Sequence, residues 1–268
     1  MANLIKNCRL RLGSCFNKFI VDQTNERDIR SLMASLHPLS YDKELIRLGS
    51  GRDGGYLVPD DLAGIAACFS PGVADSSSLE FYCADLGMDV FMADHSVDGP
   101  AGQHERFHFT KKFVGVTTND QFMTLDQWVQ ENVKDPESEL FLQIDIEGFE
   151  YEVFLSASDQ LMQRFRIIVA EFHRLDFLWC KPFFGMASRV FEKIQQTHYC
   201  VHAHPNNSRG KVKKGDVEIP INMEFTFIRK DRVEAYDFAK KFPHPLDVDN
   251  VTDKPPLALP RCWYSCST

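Results

Sequence analysis

The chain has 268 residues, a length that one sheet covered by helices on both faces can take up as a single unit. With 44% hydrophobic and 25% charged residues, its composition is that of a globular protein and excludes a disordered or fibrous chain. The formal net charge of -8 argues against a general nucleic-acid binder, because neutralising phosphates requires a dominant basic face. We therefore expect one core domain and no nucleic-acid partner.

The sequence gives no sign of export or of a membrane span. It has no run of about 18 apolar residues and no apolar secretory segment at its N-terminus. The eight cysteines lack the spacing of a disulfide framework or a zinc site, so we expect reduced thiols and a cytoplasmic location. Residues 1–20 contain basic but no acidic residues. A transit peptide is therefore an alternative interpretation of this segment. A second basic run lies in a predicted loop: Arg209, Lys211, Lys213 and Lys214.

The first predicted element is an amphipathic helix over residues 24–36, which we expect to begin at a capping Thr24 and to pack on the core. Its apolar residues recur at spacings of three and four: Ile29, Leu32, Met33 and Leu36. The glycine-rich segment GSGRDGGYLVPDD follows and predicts a loop and a short strand. We divide the chain into an N-terminal helical extension, residues 1–40, and a core domain, residues 41–268.

From residue 64 onwards, short apolar runs alternate with helix-length segments. The predicted strands are IAACFS, DVFMAD, FHFTKKFVGV, LFLQID, RIIVAEF, YCVHAH and MEFTFIR. The predicted helices are SSLEFYCADLG, TLDQWVQENV, YEVFLSASDQLMQRF and ASRVFEKIQQT. Strands that alternate with helices predict an α/β fold with a mostly parallel, doubly wound sheet.

In such a sheet the ligand binds beyond the carboxyl ends of the strands, where the strand order reverses. The first strand is followed by Gly72, which permits a tight turn, and by Asp75 and Ser76 at the start of a helix with free N–H groups. Asp94 follows the second strand, where an acidic residue commonly binds a ribose. The pattern is weak, because turns and helix caps use the same residues. The absent GxGxxG motif argues against a dinucleotide, whereas S-adenosylmethionine has no phosphate and tolerates a looser turn.

Acidic residues and histidines follow three further strands. Asp145 and Glu147 end the fourth strand, where Glu147 either caps the next helix or, with Asp145, belongs to a binding site. If Asp145 has only a structural role, it pairs with an N–H of a neighbouring strand. Alternation places Glu171 and His173 on one face at the end of the fifth strand, and His202 and His204 together on the sixth. The aromatic stretch after the fifth strand forms either core packing or a wall of the acceptor site: Phe177, Trp179, Phe183 and Phe184 with Leu178.

Together these segments resemble the FkbM-type methyltransferases, in particular their branch with a DGGY element. The resemblance runs from about Leu48 to Arg229 through GRDGGYLVPDDL, CFSPGVADSSSLEF, ADHSVDG, TLDQWV, LQIDIEGFEYEVF, VAEFH, HAHPNN and PINMEFTF. It implies the Rossmann-like fold of class I S-adenosylmethionine-dependent methyltransferases, with a seven-stranded sheet whose last strand, in MEFTFIRKD, is antiparallel. It also implies O-methylation of a sugar or another polyhydroxylated small molecule.

Carried over by position, the resemblance assigns Gly72 and Asp75 to the loop that binds S-adenosylmethionine and Asp94 to its ribose. Asp145 would face the centre of methyl transfer. One departure from the family is the first loop, which is reduced here to Pro71-Gly72.

The transfer requires a base for the acceptor hydroxyl, and His173 is the preferred candidate, because the unperturbed pKa of a histidine, about 6.5, suits proton removal at neutral pH. Glu171 or Asp145 would orient it, and His204 is the second candidate. Alternatively, a divalent cation bound by Asp145, Glu171 and His173 lowers the pKa of the hydroxyl. Two other functions stay open: a catalytically silent S-adenosylmethionine-binding module and a nucleotide-binding oxidoreductase.

Overall fold

The structure, a computed structural model, describes residues 20–73 and 76–265; Asp75 and the basic run of the N-terminus lie outside the described residues. Its helices are α1 (Glu26–Ser35), α2 (Ser78–Asp85), α3 (Leu125–Asn132), α4 (Glu150–Ser156), α5 (Asp159–Arg164) and α6 (Lys181–Thr197). Its strands are β1 (Leu39–Ser40), β2 (Leu45–Gly49), β3 (Gly55–Pro59), β4 (Ala67–Pro71), β5 (Asp89–Ala93), β6 (Phe107–Thr110), β7 (Phe113–Gly115), β8 (Phe122–Thr124), β9 (Leu140–Ile144), β10 (Phe165–Phe172), β11 (His198–Lys214), β12 (Val217–Arg229) and β13 (Asp237–Phe238).

Seven of these strands form the central sheet, in the order β11-β12-β10-β9-β4-β5-β6. The neighbours from β10 to β6 are parallel, whereas β12 runs antiparallel to both β10 and β11. The last strand of the sheet in the chain, which contains MEFTFIR, is therefore the antiparallel one. This confirms the predicted Rossmann-like, doubly wound α/β fold.

The two faces of the sheet pack against different elements because side chains alternate along each strand. Ile168, Ala170 and Phe172 of β10 face the larger core, which also contains buried residues of α1, α3, α4 and α6. Ile167 and Val169 face the smaller core, with residues of α2 and of the antiparallel hairpin β2–β3. Glu171 continues the alternation on the hairpin side, so the hairpin covers the face on which this carboxylate lies.

Helix α1 lies close to its predicted range and buries Ile29, Leu32 and Met33 in the larger core. Its N-cap is Asn25 and not Thr24, which corrects the predicted start. The N–H of Thr24 donates to the carbonyl of Trp179, so Thr24 is held in extended pairing and the helix begins after it. The division at residue 40 stays a prediction.

The basic run at residues 209–214 lies in a strand and not in the predicted loop. Strand β11 continues through it and pairs with the first half of β12, as in the register of Lys213 with Glu218. Glu218 forms ion pairs with Lys211 and Lys213. Pairing with β12 thus holds this segment in a strand although its local sequence lacks the apolar alternation of a strand. Within the described residues, no helix combines the length and apolar character that a membrane crossing requires.

Candidate active site

The strand order reverses between β4 and β9, because the chain proceeds from β4 to β5 on one side and from β9 to β10 on the other. A crevice of about 500 Å³ lies beyond the carboxyl ends of these strands, where an open α/β sheet binds its ligand. Its lining residues are Gly72, Val73, Ala93, Asp94, Ser96, Phe113, Val114, Phe122, Asp145, Ile146, Glu147 and Phe149. The crevice thus brings together three of the predicted cofactor-binding residues, Gly72, Asp94 and Asp145. Ser76 does not line it and lies exposed, 3.3 Å from the hydroxyl of Ser78.

Gly72 allows the two central strand ends to approach each other. Its φ is +93°, and a Cβ on this residue would lie 1.8 Å from the carbonyl oxygen of Asp145. The N–H of Gly72 also donates to the carbonyl of Ala93 on the neighbouring strand, at 3.1 Å. Any side chain here would therefore push the loop after β4 away from β9.

Asp94 ties the ends of β4 and β5 together. Its Oδ2 accepts a hydrogen bond from the N–H of Val73 at 3.2 Å. Its Oδ1 accepts from the N–H and from the hydroxyl of Ser96, each at 2.6 Å. Asp94 therefore fixes the shape of the crevice wall as well as lining it.

Aromatic side chains form another wall of the crevice, which the sequence did not indicate. The rings of Phe113 and Phe122, from β7 and β8, lie 5.5 Å apart, and Phe149 is largely exposed. The sequence FHFTKKFVGV was predicted as one strand, but it forms β6 and then β7 in a separate two-stranded sheet, so Phe113 leaves the central sheet. Flat apolar rings of this kind suit a nucleobase.

Glu150, which the sequence did not single out, holds His173 in place. Its fully buried carboxylate accepts hydrogen bonds through Oε1 from the N–H groups of Ile146 and Gly148, at 3.0 and 3.1 Å. The Nδ1 of His173 lies 3.1 Å from the same oxygen, and the hydroxyl of Tyr151 donates to the carbonyl of His173 at 2.8 Å. Glu150 thus accepts from the backbone of the loop before α4. The N-cap of α4 is Phe149, without a side-chain cap hydrogen bond, so the interpretation of Glu147 as a helix cap is not borne out.

The other ring nitrogen of His173 faces carboxylates. Its Nε2 lies 3.6 Å from Glu147 Oε2, 3.6 Å from Glu171 Oε1 and 3.8 Å from Asp145 Oδ1. Burial lowers the pKa of His173, but the hydrogen bond and charge of Glu150, with the charges of Asp145 and Glu147, outweigh burial and raise it. His173 is buried and does not itself line the crevice, but its Nε2 lies directly behind the lining residues Asp145 and Glu147.

Asp145 is an unusual carboxyl group at this position. Its Oδ1 is buried without a hydrogen-bond partner, so it does not pair with a strand N–H. Burial raises its pKa to about 7, against the lowering effect of His173. Asp145 therefore keeps its proton to a much higher pH than an ordinary carboxyl group does, and it does so 3.8 Å from Nε2 of His173.

Residues 17–217 match the methyltransferase FkbM domain, which is more than half of the chain. This chain belongs to the FkbM methyltransferase domain family. No curated protein matches the chain. One solved structure, described as a DNA modification methyltransferase encoded within an E. coli prophage, has 12% identity, a TM-score of 0.40 and 62% coverage of this chain. The chain spans 47% of that protein's length, and the likeness is too weak to carry an argument.

In this chain the predicted metal triad of Asp145, Glu171 and His173 is divided between two groups. Asp145, Glu147 and His173 offer ligand atoms within 4.8 Å of one another. Glu171 instead groups with Asp53 and Glu224, whose carboxylate oxygens lie within the same distance. Glu224 could have been suspected from the sequence, because it is a charge inside the apolar strand MEFTF.

His204 lies away from His173, and Asp247 holds it. In register across the sheet, His204 pairs with Glu224, which pairs with Glu171. The Nδ1 of His204 is 3.6 Å from Asp247 Oδ1, and the Nε2 of His202 is 3.0 Å from the same oxygen, outside hydrogen-bond geometry. Two strands therefore separate the second predicted base from the crevice floor.

The aromatic stretch after β10 packs on the helical side of the sheet. Leu178 is fully buried, and the ring of Phe183 lies 5.0 Å from that of Tyr151. Trp179, Phe183 and Phe184 pack against the larger core, and none of the five residues lines the crevice. Phe177 is 49% exposed, so the structure supports core packing for the other four residues and an acceptor wall for none of the five.

A larger depression, of about 770 Å³, lies at the opposite end of the parallel strands. Its lining includes Glu139, Arg229 and Asp231. Arg229 forms ion pairs with both acids, so these charges are satisfied by one another. The depression is therefore not a candidate for the reaction.

Proposed function

We propose that this methyltransferase binds S-adenosylmethionine in the crevice and transfers its methyl group to a hydroxyl of a sugar or another polyhydroxylated small molecule. The observation that carries the proposal is the pair of Glu150 and His173. Glu150 occupies Nδ1, so Nε2 is left to accept a proton beside Asp145, a lining residue of the crevice.

The lining of the crevice fits the proposed cofactor. S-adenosylmethionine carries an ammonium and a sulfonium charge, and the described lining includes Asp94, Asp145 and Glu147 but no lysine or arginine. We infer that Asp94 binds the ribose, that Phe113 and Phe122 contact the adenine, and that Gly72 lets the loop approach the ligand. Asp75 and Ser76 stay predictions as cofactor-binding residues.

The reaction is an in-line displacement. The acceptor oxygen forms a bond to the methyl carbon while the bond between carbon and sulfur breaks, and S-adenosylhomocysteine leaves. The hydroxyl proton moves to Nε2 of His173, and the neighbouring carboxylates of Asp145 and Glu171 stabilise the imidazolium that forms. His204 is the second candidate for the base.

A divalent cation is a second candidate for activating the hydroxyl. Asp145, Glu147 and His173 offer two carboxylates and one imidazole within 4.8 Å of one another, a donor set that divalent metals accept. These three residues would hold the ion, which would lower the pKa of the acceptor hydroxyl.

The test combines calorimetry with product formation. Titration with S-adenosylmethionine, with NAD as a control, measures cofactor binding, and S-adenosylhomocysteine is then assayed with a panel of neutral and amino sugars and with DNA. Binding of S-adenosylmethionine and turnover on a sugar support the proposal. Binding without turnover on any acceptor indicates a silent binding module, and preferential binding of NAD indicates an oxidoreductase. Methylation of DNA would overturn the acceptor class. The cytoplasmic location stays a prediction from the sequence.

A further inference from the structure

The glycine-rich turn between β2 and β3 has one tightly constrained shape. A Cβ on Gly49, whose φ is +84°, would lie 2.4 Å from the carbonyl oxygen of Gly54. A Cβ on Gly55 would lie 2.0 Å from the carbonyl oxygen of Ser50. Arg47 fixes the turn from inside, because its guanidinium donates to the carbonyls of Ser50 and Arg52 at 2.8 and 2.9 Å. The DGGY element thus holds Asp53 at a defined position.

The turn brings Asp53 to two glutamates of the sheet. Glu171 of β10 and Glu224 of β12 are directly paired across the strands. Carboxylate oxygens of Asp53, Glu171 and Glu224 lie within 4.8 Å of one another. The two glutamates are 2% and 6% exposed, whereas Asp53 is exposed, so the cluster is buried on one side and open to solvent on the other.

These carboxylates have no lysine or arginine in contact with them. Among the described residues, no lysine or arginine forms an ion pair with any of the three, and Nε2 of His173 lies 3.6 Å from Glu171. Arg47 and His204 act on Glu224 only through their charges, without an ion-pair contact. Asn206 donates to both oxygens of Glu171, and Asn250 donates to Asp53 and Glu224 at 2.9 and 2.6 Å. Amide donors bring no compensating positive charge, and a buried carboxylate is normally paired, bound to a metal or neutralised by a proton.

Two buried amide oxygens beside the cluster also lack partners. Asn222 is 4% exposed, its Oδ1 accepts no hydrogen bond, and it lies two residues before Glu224 on the same face of β12. Asn250 is 6% exposed; its Nδ2 binds the cluster, but its Oδ1 is equally without a partner. Buried acceptors normally have donors, so these two point to a ligand that oxygen atoms can bind.

We propose that Asp53, Glu171 and Glu224 form a site for a divalent cation that prefers oxygen ligands, with the side-chain oxygen of Asn250 or Asn222 completing it. Three carboxylates with amide oxygens and water are the set that Ca²⁺ and Mg²⁺ use. The ligands come from the hairpin turn, from β10, from β12 and from the C-terminal segment, so the ion joins these parts next to His173. This site differs from the group of Asp145, Glu147 and His173.

The test uses the full chain, stripped with a chelator, and the metal alone. Calorimetric titration with Ca²⁺, Mg²⁺ and Mn²⁺ to about 5 mM covers the range of weak protein sites. We expect saturable binding of one ion. Asp53→Asn should weaken the binding of this ion by about 10-fold or more. The variant removes a charged group that binds the ion directly, and even the loss of a residue that only hydrogen-bonds to a metal ligand typically costs about 10-fold or more. Asp60→Asn, an exposed carboxylate at the end of the same hairpin, and Glu147→Gln in the neighbouring group should leave the affinity within about twofold.

Two results overturn the site: no saturable binding of any of the three ions by the unmodified chain, or weakening by Glu147→Gln in place of Asp53→Asn. Glu224→Gln should weaken binding as Asp53→Asn does. If Glu224→Gln fails to fold, the exposed turn variant decides alone. The measurement requires neither cofactor nor acceptor, so its outcome is independent of the proposed methyl transfer.

Discussion

Glu150 and His173 form a buried pair in which one carboxylate oxygen sets the role of each ring nitrogen. Because Glu150 Oε1 already accepts two backbone hydrogen bonds, Nδ1 of His173 is the donor at 3.1 Å. In the neutral ring Nε2 then carries the free lone pair. This arrangement is consistent with the proposed role of His173 as a general base that a second residue orients.

Replacing Glu150 with Gln should lower the pKa of His173. The hydrogen bond and charge of Glu150 raise this pKa against the effect of burial, so removing the charge should lower it, although Asp145 and Glu147 still raise it. A histidine whose pKa is raised in the folded state stabilises the fold below about pH 6.5, and this stabilisation is lost as pH rises through the pKa of the folded state. The Glu150→Gln variant should therefore lose stability mainly at acidic pH. NMR titration of the imidazole and unfolding at several pH values measure both effects. Glu152→Gln, on the same helix, is the control, and an unchanged His173 pKa would contradict the pairing.

Gly72→Ala should destabilise the fold and prevent cofactor binding. Gly87 is a matched control, because its φ of +92° is nearly the same but a Cβ there would meet nothing within 4 Å. We expect Gly87→Ala to cost about 1 kcal/mol through backbone strain alone. Gly72→Ala adds the contact with the carbonyl of Asp145 and should cost about 3 kcal/mol or more. Denaturant unfolding of both variants separates the effect of the steric clash from that of backbone strain. Equal losses in the free energy of unfolding would show that the close approach of residue 72 to the carbonyl of Asp145 is unimportant.

The sequence predicted the sheet well because its apolar alternation and the residues after each strand are local signals. It located Gly72, Asp94, Asp145 and His173 at strand ends for that reason. It missed Glu150, Asp53 and Glu224 because their roles depend on pairing between distant segments. Asp53 meets the two glutamates only through the hairpin fold, and Thr24 lost its predicted cap role to a bond with Trp179. Long-range pairing, which a local pattern does not contain, accounts for these misses.

Asp94→Ala should weaken S-adenosylmethionine binding by roughly 1–3 kcal/mol, the scale of lost hydrogen bonds to a charged acceptor. The structure adds that the variant also frees the N–H groups of Val73 and Ser96. Asp94→Asn keeps an acceptor for these groups, so it should bind more tightly than the alanine variant. Calorimetry on both measures the effect, and an unchanged affinity in a folded Asp94→Ala would remove Asp94 from the site.

Asp247→Asn should destabilise the chain most at mildly acidic pH. Burial favours the neutral acid, but His202 and His204 outweigh it and hold the pKa of Asp247 well below its usual range. This contribution is present above about pH 4 and lost as pH falls further. The pKa of His204 is raised, against the effect of burial. The stability that His204 contributes is therefore present below about pH 6.5 and lost as pH rises above the pKa of His204 in the folded state. We expect a loss of about 2–4 kcal/mol near pH 5.5 and a smaller one near pH 9. Asp253→Asn is the control, and equal losses at both pH values would contradict the pairing.

His173→Ala should reduce turnover by about two to four powers of ten while cofactor affinity stays near normal, as expected for the loss of a general base. The geometric reason is that Nε2 lies within 3.8 Å of Asp145, a lining residue of the crevice, whereas the binding residues proposed for the cofactor lie elsewhere in the lining.

His204→Ala is the comparison, because His204 faces Asp247 and is separated from His173 by the paired Glu171 and Glu224. It should retain turnover within about 10-fold of the unmodified chain. The comparison uses turnover rates at saturating acceptor, together with calorimetry for cofactor affinity and unfolding for the stability of each variant. A larger loss in His204→Ala than in His173→Ala would transfer the role of base to His204, and a loss below about threefold in a folded His173→Ala would leave His173 with a structural role alone.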